Sequence, residues 1–135
     1  MLLGKLSVLQ GLAPLILRLV LGVIFIAHGH PKLFGGGMEK FVGTVTGRVG
    51  MPAFMAYVAA LSEFGGGVLL LLGLFTRWAA LFIAGVMVVA TTTIHWNQGL
   101  VKGYEFTLSL LAAALVLMIL GGGWLSVDKL IKKEW

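Results

Sequence analysis

Arg18, His28, His30 and Lys32 lie in one otherwise apolar run, residues 15–32 (LILRLVLGVIFIAHGHPK), and Glu63 lies 11 residues into a second run that opens at Pro52. Ionisable groups inside segments of bilayer length carry a large transfer penalty, so each is a candidate for function or for a specific pairing. His95 closes a third apolar run and Glu105 opens a fourth. The chemistry open to such a set is proton transfer, hydrogen bonding to a polar headgroup, or ligation of a first-row metal.

The metal reading is the weakest of these. Three histidines and two glutamates supply enough ligands, but no H-x-x-x-H or E-x-x-H spacing occurs. His28 and His30, two apart on a helix, point to roughly opposite sides. A haem between His28 and His95 has no better support, and no metal is expected. Phosphate loops, dinucleotide fingerprints and nucleophile motifs are absent. With zero cysteines the chain has no disulfide, thiolate nucleophile or cysteine-ligated cluster, so any redox chemistry is borrowed.

The elements that must position these residues follow from composition. The chain is 59% hydrophobic and 11% charged, with a mean hydropathy of +1.04, where soluble domains carry about 25% charged residues. A span needs about 20 apolar residues, so 135 residues leave room for four spans and little else. The expected fold is all-α, a four-helix transmembrane bundle forming one domain over residues 1–135. Its spans are placed at residues 13–30, 52–74, 79–95 and 104–120.

Pro14 suits a first helical turn, and Pro31 with Gly35, Gly36 and Gly37 is expected to end span one. Residues 38–49 are too polar to span. Their apolar positions Met38, Phe41, Val42, Val45 and Val49 predict a short interfacial amphipathic helix. After Gly121–Gly123 the tail, with Ser126 and Asp128 as caps, predicts a short surface helix. No A-x-A-like site follows the first apolar run, which reads as a retained helix, and no internal repeat is visible.

The net charge of +5 comes from basic residues scattered at segment ends. They read as topology signals and anionic-lipid contacts, not as a nucleic-acid patch. Lys5, Arg18, Arg77, Lys129, Lys132 and Lys133 fall on the side of the termini, and Lys32, Lys40, Arg48 and Lys102 on the other. Six against four places both termini in the cytoplasm, with the chain in a bacterial inner membrane.

In that topology His28, Lys32, His95 and Glu105 gather at the outer end as a polar, ligand-binding cluster, with Glu63 below them near mid-membrane. Arg18, approaching from the opposite face, is expected to pair with Glu63, because a bidentate guanidinium–carboxylate contact meets the needs of both. Arg18, Gly22, Phe25 and Gly29 share one helix face, and Glu63, Gly66, Gly67 and Leu70 another. Plainer readings stand beside these. Arg18 can snorkel to headgroups, and His28 can be a hydrogen-bonded interior residue. His30 can be interfacial, His95 with Trp96 an aromatic-belt end, and Glu105 a complement to its helix dipole.

Taken in order, Arg18-Leu19, His28-Gly29, Lys32-Leu33-Phe34-Gly35, Glu63 with Gly66, Gly73-Leu74, Thr76-Arg77, His95-Trp96, Gly103-Tyr104-Glu105, Gly121 and Ser126-Val127-Asp128 resemble the DoxX family of small bacterial membrane proteins. The resemblance covers nearly the whole chain; His30 and Pro31 fall outside its pattern. It implies a four-helix inner-membrane bundle and association with oxidoreductase systems. Among these are the membrane part of a thiosulfate:quinone oxidoreductase, proteins of quinone or thiol stress, and a mycobacterial complex with superoxide dismutase and a sulfurtransferase. The expected function is therefore a redox or oxidative-stress subunit that binds quinone or anchors an oxidoreductase partner. On this reading His28, His95 and Glu105 hold the headgroup and Glu63 relays a proton. The rival is a non-enzymatic scaffold or assembly factor in which Arg18 and Glu63 are purely structural. A transporter is disfavoured by the small interior and the lack of repeats, and homo-oligomerisation is left open.

Overall fold

The computed structural model describes residues 3–131, with Lys102 described by its backbone alone. These residues form helices and turns with no strand among them. After a 3-10 turn, Leu3–Leu9, helix α1 runs Leu12–Phe34. Its 23 residues reach about 34 Å at 1.5 Å per residue. Pro31 does not end it, contrary to the expectation. The proline sits in the last turn, where a missing N–H removes one bond near a terminus instead of breaking a ladder. The glycines do end it: the amides of Gly35 and Gly37 both donate to the Pro31 carbonyl at 3.0 Å, and Gly36 takes φ +77°.

Helix α2, Met38–Thr44, continues into a π-helical turn, Val45–Val49. Together they occupy the region predicted as an interfacial helix. Helix α3, Phe54–Leu72, ends at Gly73 in the left-handed region (φ +69°). Helix α4, Thr76–Val89, continues through a second π-helical turn, Ala90–Ile94. A third such turn, Leu100–Tyr104, leads into α5, Glu105–Leu120. Helix α6, Val127–Leu130, closes the described chain. Three stretches, Leu12–Phe34, Phe54–Leu72 and Thr76–Ile94, are long and apolar enough to cross a membrane, while α5 is apolar but shorter, at 16 residues.

The four long helices share one core. α1 packs on α3, α3 on α4, α4 on α5, and α5 returns to α1. Leu21, Phe25, Leu70, Ile83, Met87, Leu110 and Leu117 fill the centre. Small residues set the helix separations, as expected where lipid supplies no hydrophobic drive between helices. A Cβ at Gly67 would lie 2.9 Å from the Gly22 carbonyl oxygen and the Ile26 amide, and one at Gly66 would lie 2.9 Å from Ile83. The first glycine seats α3 on α1, the second seats it on α4. Gly67→Leu is therefore expected to force α1 and α3 apart and to destabilise the fold by about 1–3 kcal/mol, read as a lower thermal midpoint in detergent.

The start of α1, the α3–α4 turn and α6 lie at one end of the bundle, the terminal end. The α1–α2 connection and the α4–α5 loop lie at the distal end. At the terminal end the tail departs from the surface helix expected for it. Ser126 does cap α6, its hydroxyl accepting from the Lys129 amide at 3.2 Å. Ser126 and Asp128 are, however, buried. Asp128 accepts from the Phe75 amide at 2.8 Å and the Thr76 amide at 3.0 Å, so its carboxylate caps α4 and not its own helix. The expected tail helix also included Lys132 and Lys133, which lie outside the described residues.

Candidate functional site

The distal half of the bundle encloses a cavity of about 580 Å³. Its walls come from α1 (Phe25, His28, Lys32), the α2 segment (Phe41, Val45, Val49), α3 (Met55, Ser62, Glu63), α4 with its π-helical turn (Phe82, Val86, Ile94) and α5 (Phe106, Thr107). A space of this size, mainly apolar with a few converging polar groups, has the character of a small-molecule site.

Its polar focus is an ion pair. Lys32 Nζ lies 2.7 Å from Glu63 Oε2, with Glu63 almost fully buried and the Lys32 side chain 22% exposed. The ammonium also sits 3.8 Å from the centroid of the Phe41 ring. The Glu63 carboxylate and the Phe41 ring face thus stabilise the Lys32 cation from two sides.

This corrects the Arg18–Glu63 pairing read from the sequence. Helix faces give azimuth but not height: Gly29 lies opposite Phe64, and Gly22 opposite Gly67 and Leu71. Arg18 therefore falls beside the last turn of α3, roughly 16 Å along α1 from the level of Glu63. Side chains on a helix also tilt toward its N-terminus. On α1 that swings Lys32 down toward Glu63 and Arg18 away from it.

Arg18 is fully buried at the terminal end and serves as a clamp. Nε donates to the Gly122 carbonyl at 2.7 Å. One terminal nitrogen donates to Leu70 (3.0 Å) and Leu71 (3.4 Å), and the other to Trp124 (2.7 Å) and Leu125 (3.3 Å). All five guanidinium donors thus meet backbone carbonyls. Two of these belong to the last turn of α3, where the dipole is negative; the Leu70 carbonyl also accepts from the Gly73 amide at 3.2 Å. The guanidinium ties α1, the end of α3 and the tail together, and it is remote from the cavity lining.

Of the other predicted residues, His28 and His95 both line the cavity and Glu105 does not. His28 Nδ1 lies 2.8 Å from the Ile24 carbonyl. A carbonyl only accepts, so Nδ1 donates and Nε2 of the neutral ring is left as an acceptor. The ring stacks on Phe106 with centroids 6.1 Å apart. His95 Nδ1 lies 3.0 Å from Gln98 Oε1. His30 faces elsewhere, against Phe34 and Phe64, as the two-residue offset from His28 requires.

Four further residues contribute. Thr91 donates to Thr107 in a buried hydroxyl bond of 2.9 Å between α4 and α5, and Thr107, itself in the cavity wall, donates to the Tyr104 carbonyl. Phe41 was placed on an amphipathic face without a partner. Arg48, on the same segment, donates to the Ile94 carbonyl at 3.1 Å and so ties that segment across the cavity mouth.

A family model described as DoxX matches residues 13–96. The chain is 36% identical over 121 residues to "Putative oxidoreductase CatD" of Bacillus subtilis (strain 168), covering 88% of this chain and 87% of that one. It is 33% identical over 132 residues to inner membrane protein YqjF of Escherichia coli (strain K12), covering 94% and 98%. Inner membrane protein YphA of the same organism is 32% identical over 125 residues, covering 85% and 87%. No solved structure matches. The family match extends from the Arg18 clamp through the Lys32–Glu63 pair to His95, and with these full-length relatives it shows that the chain belongs to the DoxX family.

Proposed function

We propose that this protein is a membrane-embedded binding subunit for a small amphipathic redox molecule of the quinone type, working with an oxidoreductase partner. The observation that carries the proposal is the Lys32–Glu63 pair set in the wall of a mainly apolar cavity. A quinone ring presents carbonyl acceptors at its two ends. Lys32 has ammonium donors beyond the one given to Glu63, and Glu63 and His28 Nε2 can accept from the hydroxyls of the reduced ring. Glu63 is then the group to pass a proton. The electrons come from the partner, in keeping with a cysteine-free chain. A relative named as an oxidoreductase agrees with this reading.

Relatives named as inner membrane proteins support the same membrane for this chain. Setting aside Arg18 and Lys32, which are engaged inside the protein, leaves five basic residues on the terminal side and three on the distal side. That bias favours cytoplasmic termini.

The scaffold reading draws on Arg18, whose role is structural. It does not account for a charged pair placed against an open cavity. The deciding experiment is mass spectrometry of small molecules extracted from protein purified in mild detergent. Quinone is expected in the wild type and strongly depleted in Lys32→Met. Wild-type protein that carries none, and that fails to bind added quinone in titration, refutes the proposal.

A further inference from the structure

The site just described borders a second space on the α3–α4 side. Along the lipid-facing surface between α3 and α4 runs a groove of about 450 Å³, lined by Leu61, Gly65, Leu69, Phe75 and Trp78 among others. It shares Val58, Ser62 and Phe82 with the cavity, so the two spaces adjoin at these three side chains. Its walls are almost wholly apolar, and Val58, Leu61, Trp78 and Phe82 are exposed on the surface that meets lipid.

The glycines of these two helices sharpen the point. Gly66 and Gly67 are required by helix contact, as shown above. Gly65 and Gly85 are not: a Cβ at either would meet nothing within 4 Å. Glycine in a helix interior is less favourable than alanine by about 1 kcal/mol, and small residues in membrane helices usually serve close packing. Here they leave space. Gly65 lies in the groove on α3, and Gly85 lies in the cavity wall on α4.

Resting on the binding reading above, we propose that the ligand carries a single long apolar tail, isoprenoid or alkyl, which leaves the cavity sideways between α3 and α4 and lies in the groove over Gly65, with the lipid phase as its source. The polar head sits at Lys32–Glu63, and the groove follows α3 from Val58 to Leu69, about 16 Å at 1.5 Å per residue. One groove between two helices seats one chain, which separates such a ligand from a two-chain phospholipid.

The test uses dimethoxy-methyl-benzoquinone without a tail and the same ring with a decyl tail, titrated into full-length protein in nanodiscs. Gly65→Phe and Leu61→Trp fill the groove at positions outside the cavity wall, and Gly65→Ala is the mild control. The decyl probe is expected to lose about tenfold or more in affinity in both filled variants, because the tail clashes. The tail-less probe should bind all of them as it binds wild type, which also reports that the variants are folded. Unchanged decyl binding in both filled variants overturns the groove assignment while leaving the head site intact. Equal loss of both probes in folded variants overturns it too, because the filled positions would then be shaping the head site. A change of oligomeric state in the filled variants with decyl binding retained shows that the groove seats a second copy of the chain. If neither probe binds wild type, the head site itself falls and the tail assignment falls with it.

Discussion

Replacing Arg18 with methionine is expected to destabilise the protein by about 3–5 kcal/mol, the cost of leaving several buried carbonyls without their donors. Methionine fills similar volume, so the loss isolates the five hydrogen bonds. Without them the carbonyls of Leu70, Leu71, Gly122, Trp124 and Leu125 lose the donors that Arg18 supplies in a buried junction, and each such group costs about 1–3 kcal/mol when nothing replaces its donor. Arg18→Lys keeps the charge but offers three donors from one point, and it should recover only part of the loss. The native chain has no cysteine, so Ser126→Cys can report on the tail. Buried in the folded protein, it should label slowly in an otherwise wild-type background and rapidly once Arg18→Met releases the segment. Equal labelling rates would show that the tail is held by something other than the guanidinium. Quinone binding in Arg18→Lys protein that remains folded should be unchanged, since Arg18 does not line the cavity.

Arg18 also shows where sequence reading stops. Its face was legible: it shares one side of the helix with Gly22, Phe25 and Gly29, and all four are buried, which decides against the snorkelling alternative. The same holds for Glu63 with Gly66, Gly67 and Leu70. The partners were not legible. Every residue carries a backbone carbonyl, so five carbonyl acceptors leave no mark in the sequence, whereas a carboxylate stands out and attracts the pairing by default. Periodicity fixes which way a side chain points around a helix but not its level against a neighbour, and the tilt of side chains toward the helix N-terminus decided between Arg18 and Lys32. Asp128 was seen as a cap, and it is one, but for the helix opened by Thr76 across the fold. The cavity is least legible of all, because it is a property of what the packing leaves empty. Gly85, which no helix contact requires, hints at it, and does so only once the contacts of the other helix glycines are known.

The second large effect concerns the pair at the centre of the site, and it separates the two functional readings. Lys32→Met leaves Glu63, 5% exposed, without its cation, and is expected to destabilise by about 3 kcal/mol. Glu63→Gln should cost less, about 1 kcal/mol, because Lys32 is partly exposed near the end of α1 and can extend to the distal headgroups. Joining Lys32→Met with Glu63→Leu removes both charges and fills their space with apolar atoms. That double variant should return to within about 1 kcal/mol of wild-type stability, since a buried ion pair is often replaceable by well-packed hydrophobic groups. A structural pair predicts a double variant that is fully competent as well as stable. A ligand-binding pair predicts restored folding with quinone occupancy still lost, because the ring has lost its donor and its proton acceptor together. Thermal unfolding and extracted-quinone mass spectrometry on the same four proteins read both quantities. The charges earn their place in the lipid-facing half of this bundle only if stability recovers in the double variant and binding does not.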